Sequence, residues 1–186
     1  MKFDHEHWHE LDINVDSLWI MGPRAKGGKH TNVYHGNFAP QIPNQMIRRY
    51  TEEGDIVMDL FMGSGTTLYE CETLKRNYIG FDINSDIINF VEQRMQGCDS
   101  INYCIHNCDV TNSERFHQCV GEDLKQMKKH KIDFLIVHPP YLDIVKFTDK
   151  PEDLSGISNL NIFLEKFQVA MTNALSYLKS KHYFVI

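Results

Sequence analysis

Two acids with a glycine turn between them carry the first chemical signal in the chain. Asp59 sits near the end of a branched, apolar run, Asp55 to Leu60, which suits a buried strand. Gly63-Ser64-Gly65 follows, and a helical pattern starts at about Thr66. A second apolar run, Tyr78 to Phe81, ends on Asp82. Strand, glycine turn, helix, strand, acid is the sequence form of a nucleotide-binding βαβ unit. The glycines let the backbone turn tightly and approach a ligand, and an acid at the next strand's tip can hold ribose hydroxyls. The alternative is a turn whose glycines serve packing alone, and the flanking pattern with both acids favours the ligand.

The rest of the chain supplies elements that would position this unit. Pro43 to Glu52 reads as a helix with Met46, Ile47 and Tyr50 at core spacing, and Glu53-Gly54 stops it. Beyond Asp82, Ser85 is a plausible N-cap for a helix to about Met95. Ile101 to His106 is a third strand leading to Asp109, and Ser113 to Lys131 is a polar helix with a cationic end. Ile132 to Val137 is a fourth strand, apolar enough to be covered on both faces, and it breaks into His138-Pro139-Pro140-Tyr141. Leu142 to Gly156 has no strong period and reads as a long surface loop, the kind that often serves function. Leu160 to Leu178 is an amphipathic helix, and His182 to Ile186 a fifth strand. Strands alternating with helices predict an α/β fold, an open and mostly parallel sheet with helices on both faces. Ligands bind such sheets at the carboxyl ends of the strands, where the glycine turn, Asp82, Asp109 and His138 all fall.

Composition narrows the class. At 186 residues the chain is one domain's worth, and the net charge of -6 argues against indiscriminate polyanion binding. Arg24, Lys26 and Lys29 form a locally basic loop that could touch phosphates or simply be solvated. The five cysteines show no paired spacing, and Cys98, Cys104 and Cys108 read as inert buried thiols of a cytoplasmic protein. His5, His7 and His9 alternate, but a polar tail accounts for them better than a metal site, and no metal is predicted. No apolar run is long enough to cross a bilayer.

Asp59-Leu60-Phe61-Met62-Gly63-Ser64-Gly65-Thr66-Thr67 resembles the cofactor motif of the amino-methylating DNA methyltransferases, the N6-adenine and N4-cytosine group. His138-Pro139-Pro140-Tyr141 resembles that group's catalytic tetrapeptide, and the segment Phe38 to Pro43 resembles the one that closes over the methionine end of its cofactor. The resemblance implies a Rossmann-like methyltransferase fold over residues 19–186, behind a polar N-terminal segment 1–18, with S-adenosylmethionine as cofactor. Asp59, Phe61, Gly63, Ser64, Gly65 and Thr66 would surround its amino-acid part, with Phe38 and Pro40 closing from the other side. Asp82, followed by Ile83 and Asn84, would take the ribose, and Asp109 with Val110 would face the adenine. In the tetrapeptide, an acceptor at the first position and the Pro139 carbonyl would hold the amino hydrogens of the target base. Pro139 and Pro140 would stiffen the loop, and Tyr141 would stack on the flipped base.

The chain departs from the family in two respects. His138 stands where the family has an acid, asparagine or serine, and Leu60 where it commonly has proline. His138 offers one acceptor nitrogen in the correct tautomer. It does not choose between adenine and cytosine and leaves RNA open beside DNA as partner. The family's sheet also adds a reversed hairpin after its fifth strand, which the chain lacks before Ile186. The expectation is a C-terminally truncated catalytic domain, completed by a missing region or by a second polypeptide; a non-catalytic remnant is the rival from another class.

Overall fold

The computed structural model of the chain describes residues 12–31 and 36–186. The histidines at 5, 7 and 9 therefore lie outside the described residues. A helix α1 (Gln41–Tyr50) precedes β1 (Ile56–Asp59), α2 (Thr66–Thr73), β2 (Asn77–Asp82), α3 (Ser85–Met95) and β3 (Tyr103–Asn107). Then come α4 (Ser113–Gln126), β4 (Ile132–Ile136), a 3-10 turn at Leu154–Gly156, α5 (Leu160–Leu175) and β5 (Leu178–Val185). The five strands form one parallel sheet in the order β3-β2-β1-β4-β5. The chain builds outward from β1 in one direction and then returns to its other side, so strand order switches between β1 and β4. This is the open α/β architecture that the alternating pattern predicted.

Period-two burial sorts the strands onto two cores. Ile56, Met58, Ile79 and Phe81 face α4 and α5, where they meet Phe116, Val120, Ala170 and Ala174. Val57, Tyr78, Phe134 and Ile136 face α1, α2 and α3, against Ile47, Leu68, Val91 and Met95. On that second face the Tyr78 ring lies flat over Gly80, two residues along the same strand. A Cβ at Gly80 would come within 2.4 Å of the ring, so glycine is required there by close approach.

Boundaries moved where polar side chains act on backbone. The N-cap of α3 is Asn84, whose Oδ1 accepts from Asp86 and Ile87, and Ser85 is the first helical residue. Asp133 interrupts the apolar run of β4 and is buried. One of its oxygens accepts the Ile56 N–H at 3.0 Å, and the other pairs with Lys179. That ion pair explains why β5 begins at Leu178: polar Lys179-Ser180-Lys181 is an edge strand tied to its neighbour, while the hydrophobic pattern began only at His182. The loop from Gly22 to His30 is also built in. Arg24 donates to the carbonyls of Asn37 and Phe38, and Lys29 pairs with Glu72 at 2.5 Å. Those two cations are therefore not simply solvated, whereas Lys26 stays exposed.

Gly80→Ala should lower the free energy of unfolding by about 1–3 kcal/mol, because the buried Tyr78 ring has nowhere to go. Urea denaturation checks this, and an unchanged midpoint would show that the ring does not depend on the missing Cβ.

Candidate active site

One large cleft opens at the carboxyl ends of β1, β2, β3 and β4, enclosing about 990 Å³ counted out to its open mouth. The turn after β1 supplies Leu60 to Gly63, and Thr66 stands at the start of α2. Asp82 ends β2 with Ile83 just beyond it, Cys108 to Val110 follow β3, and His138 to Tyr141 follow β4. Phe38 covers the cleft from the segment before α1. These are sites where parallel strands stop and their crossovers begin, so the residues converge although far apart in sequence.

The glycine turn owes its shape to two carboxylates. Asp59 is fully buried and accepts the Phe61 N–H at 3.1 Å. The hydroxyls of Thr67 and Tyr78 face it without a close hydrogen bond. Burial pushes its carboxyl up to about 6, against the stabilising pull of those neighbours. Asp82 accepts the Gly63 N–H and the Asn84 N–H, both at 2.8 Å, and burial raises it to about 6 as well. Gly63 and Gly65 have φ of +53° and +84°, and Gly65 leads into α2 with no side-chain cap. The first amides of α2 are thus left for a ligand, which makes a helix N-terminus suited to a carboxylate or phosphate.

Several expected residues stand behind the wall. Pro40 is buried at the N-cap of α1, and Asn84 caps α3. Ser64 is buried and accepts from the Asn37 amide at 2.6 Å. Gly65 and Asp59 shape the turn. Phe38, Phe61, Gly63, Thr66, Asp82, Ile83, Asp109 and Val110 do line the cleft. Asp109 spends one oxygen on the N–H and hydroxyl of Thr111, at 2.8 and 2.7 Å.

At the tetrapeptide, His138 is half-buried, with its ring 4.8 Å from that of Phe38. Its Nε2 lies 2.6 Å from the Tyr141 hydroxyl, with the rings edge-on at 5.5 Å. Burial holds the imidazole below its ordinary pKa and therefore neutral. The tyrosine ring itself is 60% exposed at the mouth.

The sequence marked one long loop as a kind that often serves function but named none of its residues. The stretch expected as a surface loop, Leu142 to Gly156, contributes Phe147, Glu152, Asp153 and Leu154 to the cleft. Asp153 organises it, accepting the N–H and hydroxyl of Thr148 and the N–H of Ser155, each at 2.8 Å. Lys150 reaches across to the Ile83 carbonyl at 2.7 Å. The available signal was local: Thr148, Asp153 and Ser155 are short polar side chains that form such turns with their own backbone. Among the described residues there is no cluster suited to a metal ion, and no helix is long and apolar enough to cross a membrane.

Comparison with known proteins adds the lineage. The family model described as DNA methylase matches residues 1–93, half of the chain. The chain belongs to this DNA methylase family. The matched half carries the glycine turn, Asp59 and Asp82, and the tetrapeptide lies beyond it. The Type II methyltransferase M.MjaII of Methanocaldococcus jannaschii is 35% identical over 57% of this chain and 21% of its own length. The Type II methyltransferase M.BglI of Bacillus subtilis is 34% identical over 69% of this chain and 34% of its own. The chain thus spans between a fifth and about a third of the length of those relatives. Among solved structures, TrmN from Thermus thermophilus superposes with a TM-score of 0.52 at 18% identity, covering 78% of this chain and 36% of that one, a likeness of fold.

Both buried aspartates bind protons more tightly folded than unfolded. Their contribution to stability is therefore full below pH 4 and is lost as pH rises toward 6, on the order of 3 kcal/mol each at most. Asp59→Asn, which keeps the acceptor for the Phe61 N–H, should remove its share. Unfolding free energies of variant and parent, measured from pH 4 to 7, should converge at the acid end and diverge in the variant's favour at neutral pH. Parallel curves would sink this assignment.

Proposed function

We propose that the chain is the catalytic core of a methyltransferase that uses S-adenosylmethionine to methylate an exocyclic amino group of a DNA base, N6 of adenine or N4 of cytosine. The observation that carries it is the convergence, on one cleft, of the glycine turn with Asp82 and of the His138–Tyr141 tetrapeptide. Family membership and the Type II methyltransferase relatives support the same chemistry.

The residues fit the cofactor. The uncapped start of α2 suits its carboxylate, and Asp82 keeps lone pairs beyond its two backbone bonds for ribose hydroxyls. Ile83 and Val110 offer apolar surface for the adenine, with Asp109 beside them. Asp82, Asp109, Glu152 and Asp153 make the lining acidic, which favours a ligand bearing positive charge. When bound, S-adenosylmethionine supplies a methyl group on a cationic sulfur.

The chain's own part concerns the acceptor nitrogen, whose lone pair is delocalised into the base. With its proton on Nε2, His138 donates to the Tyr141 oxygen and keeps Nδ1 as the acceptor for one amino hydrogen. The Pro139 carbonyl takes the other. Together they favour a tetrahedral, more nucleophilic nitrogen, and Tyr141 stacks on the extruded base. Protonated His138 has no acceptor left. The outer side of β5, with Tyr183 and Phe184 about half exposed, supports a further segment or partner polypeptide completing the sheet.

Transfer of labelled methyl from the cofactor to DNA and to RNA, followed by base analysis, tests the reading. Label in adenine or cytosine of DNA is expected; label only in RNA, or none, overturns it. His138→Ala should cut the rate by roughly 100-fold or more while calorimetric cofactor affinity stays within about two-fold. The parent's rate should hold at neutral pH and fall on acidification below the ordinary histidine range, because burial depresses the pKa. A profile flat through acid would refute the acceptor role.

A further inference from the structure

The rim of the cleft carries an apolar feature to which the proposed chemistry assigns no role. Ile144 is 76% exposed and Val145 39% exposed, yet both line the cleft beside Tyr141. Other apolar residues of the same stretch, Phe147 and Leu154, turn inward into the wall. The exposure of Ile144 is built by the backbone. Leu142 adopts a left-handed φ of +54°, a conformation that costs a leucine about 1–2 kcal/mol. This folds the chain so that the Ile144 N–H approaches the Tyr141 carbonyl at 3.4 Å. The stretch beyond is anchored by Asp153 and Lys150, so the rim is held rather than trailing.

We propose that Ile144, with Val145 behind it, is a wedge that enters the duplex and fills the gap left by the base turned into the cleft. This rests on the amino-methyltransferase reading above. Extruding a base costs its stacking and pairing, and proteins that distort duplexes offset such costs by inserting an apolar side chain between base steps. A wedge must be apolar, solvent-exposed before binding, next to the residue that receives the base, and firmly held. Ile144 is apolar, exposed and close to Tyr141, its N–H turns back on the Tyr141 carbonyl, and the stretch that follows is anchored by Asp153 and Lys150. Lys146, two residues on, pairs with Asp149 at 2.6 Å in an exposed ion pair that can exchange its carboxylate for a backbone phosphate.

A wedge matters only where a stack must be opened. Methyl transfer is measured for the parent, Ile144→Ala and Ile144→Leu on a random-sequence duplex DNA pool and on the same pool as single strands. Ile144→Ala should lose about ten-fold on duplex and stay within about two-fold on single strands, and Ile144→Leu should restore most of the loss. Equal loss on both substrates, or none on either, overturns the wedge and leaves the methyltransferase reading standing. A parent inactive on both pools overturns that reading and the wedge with it. Ile144 is exposed, so the variants should unfold at the parent's urea midpoint; a shifted midpoint would assign Ile144 to packing and overturn the wedge.

Discussion

The carboxylate of Asp82 holds the amides of Gly63 and Asn84 at once, and the cleft depends on that double attachment. One bond ties the turn after β1 to the end of β2, and the other starts the turn into α3. Backbone bonds extend the seam on either side: Met62 N–H to the Phe81 carbonyl at 2.9 Å, and Cys108 N–H to the Asp82 carbonyl at 3.1 Å. Three strand ends are thereby locked into one floor. The arrangement buries a carboxylate, and that desolvation raises its pKa. A buried acid with spare lone pairs beside the uncapped start of α2 costs the fold stability and suits a polar ligand.

The other half of the cleft is made differently. The tetrapeptide leaves β4 at a point pinned by the Val137 N–H on the Val185 carbonyl, so the edge strand β5 helps aim His138. From there the chain needs no regular structure, because Asp153, Thr148, Ser155 and Lys150 supply local and cross-strand bonds that a helix or strand would otherwise provide. The result is a site with one wall fixed by the sheet and one wall fixed by side chains. The second wall carries the tetrapeptide and the Ile144 rim, and its buried Leu154 and Ser155 tie it to the body of the fold.

Of the five thiols, Cys71, Cys108 and Cys119 are buried, whereas Cys98 and Cys104, expected to be buried, are only partly so. Among them Cys108 lines the cleft floor, yet desolvation by burial, with Cys119 and Asp109 adding to it, pushes its thiol up to about 12. A thiol so placed acts as a small apolar side chain rather than a nucleophile. The chemistry of the cleft is left to the carboxylates, the imidazole and the backbone.

The sequence by itself determined the alternation of strands and helices, the parallel sheet, and the clustering of the glycine turn, Asp82, Asp109 and the tetrapeptide at one edge. Each follows from local periodicity, turn chemistry and the rule that parallel strands point the same way. Only the tertiary structure decided that Asp59, Ser64 and Asn84 shape the wall from behind, that Arg24 and Lys29 are spent on the fold, and that Lys179 starts β5 by neutralising Asp133. It also turned an unpatterned loop into a wall with Ile144 on its rim. The reason is common to all of these. They are pairings between polar groups, or close approaches, across segments distant in sequence or lacking a repeat, and periodicity carries no information about which partner such a group will find.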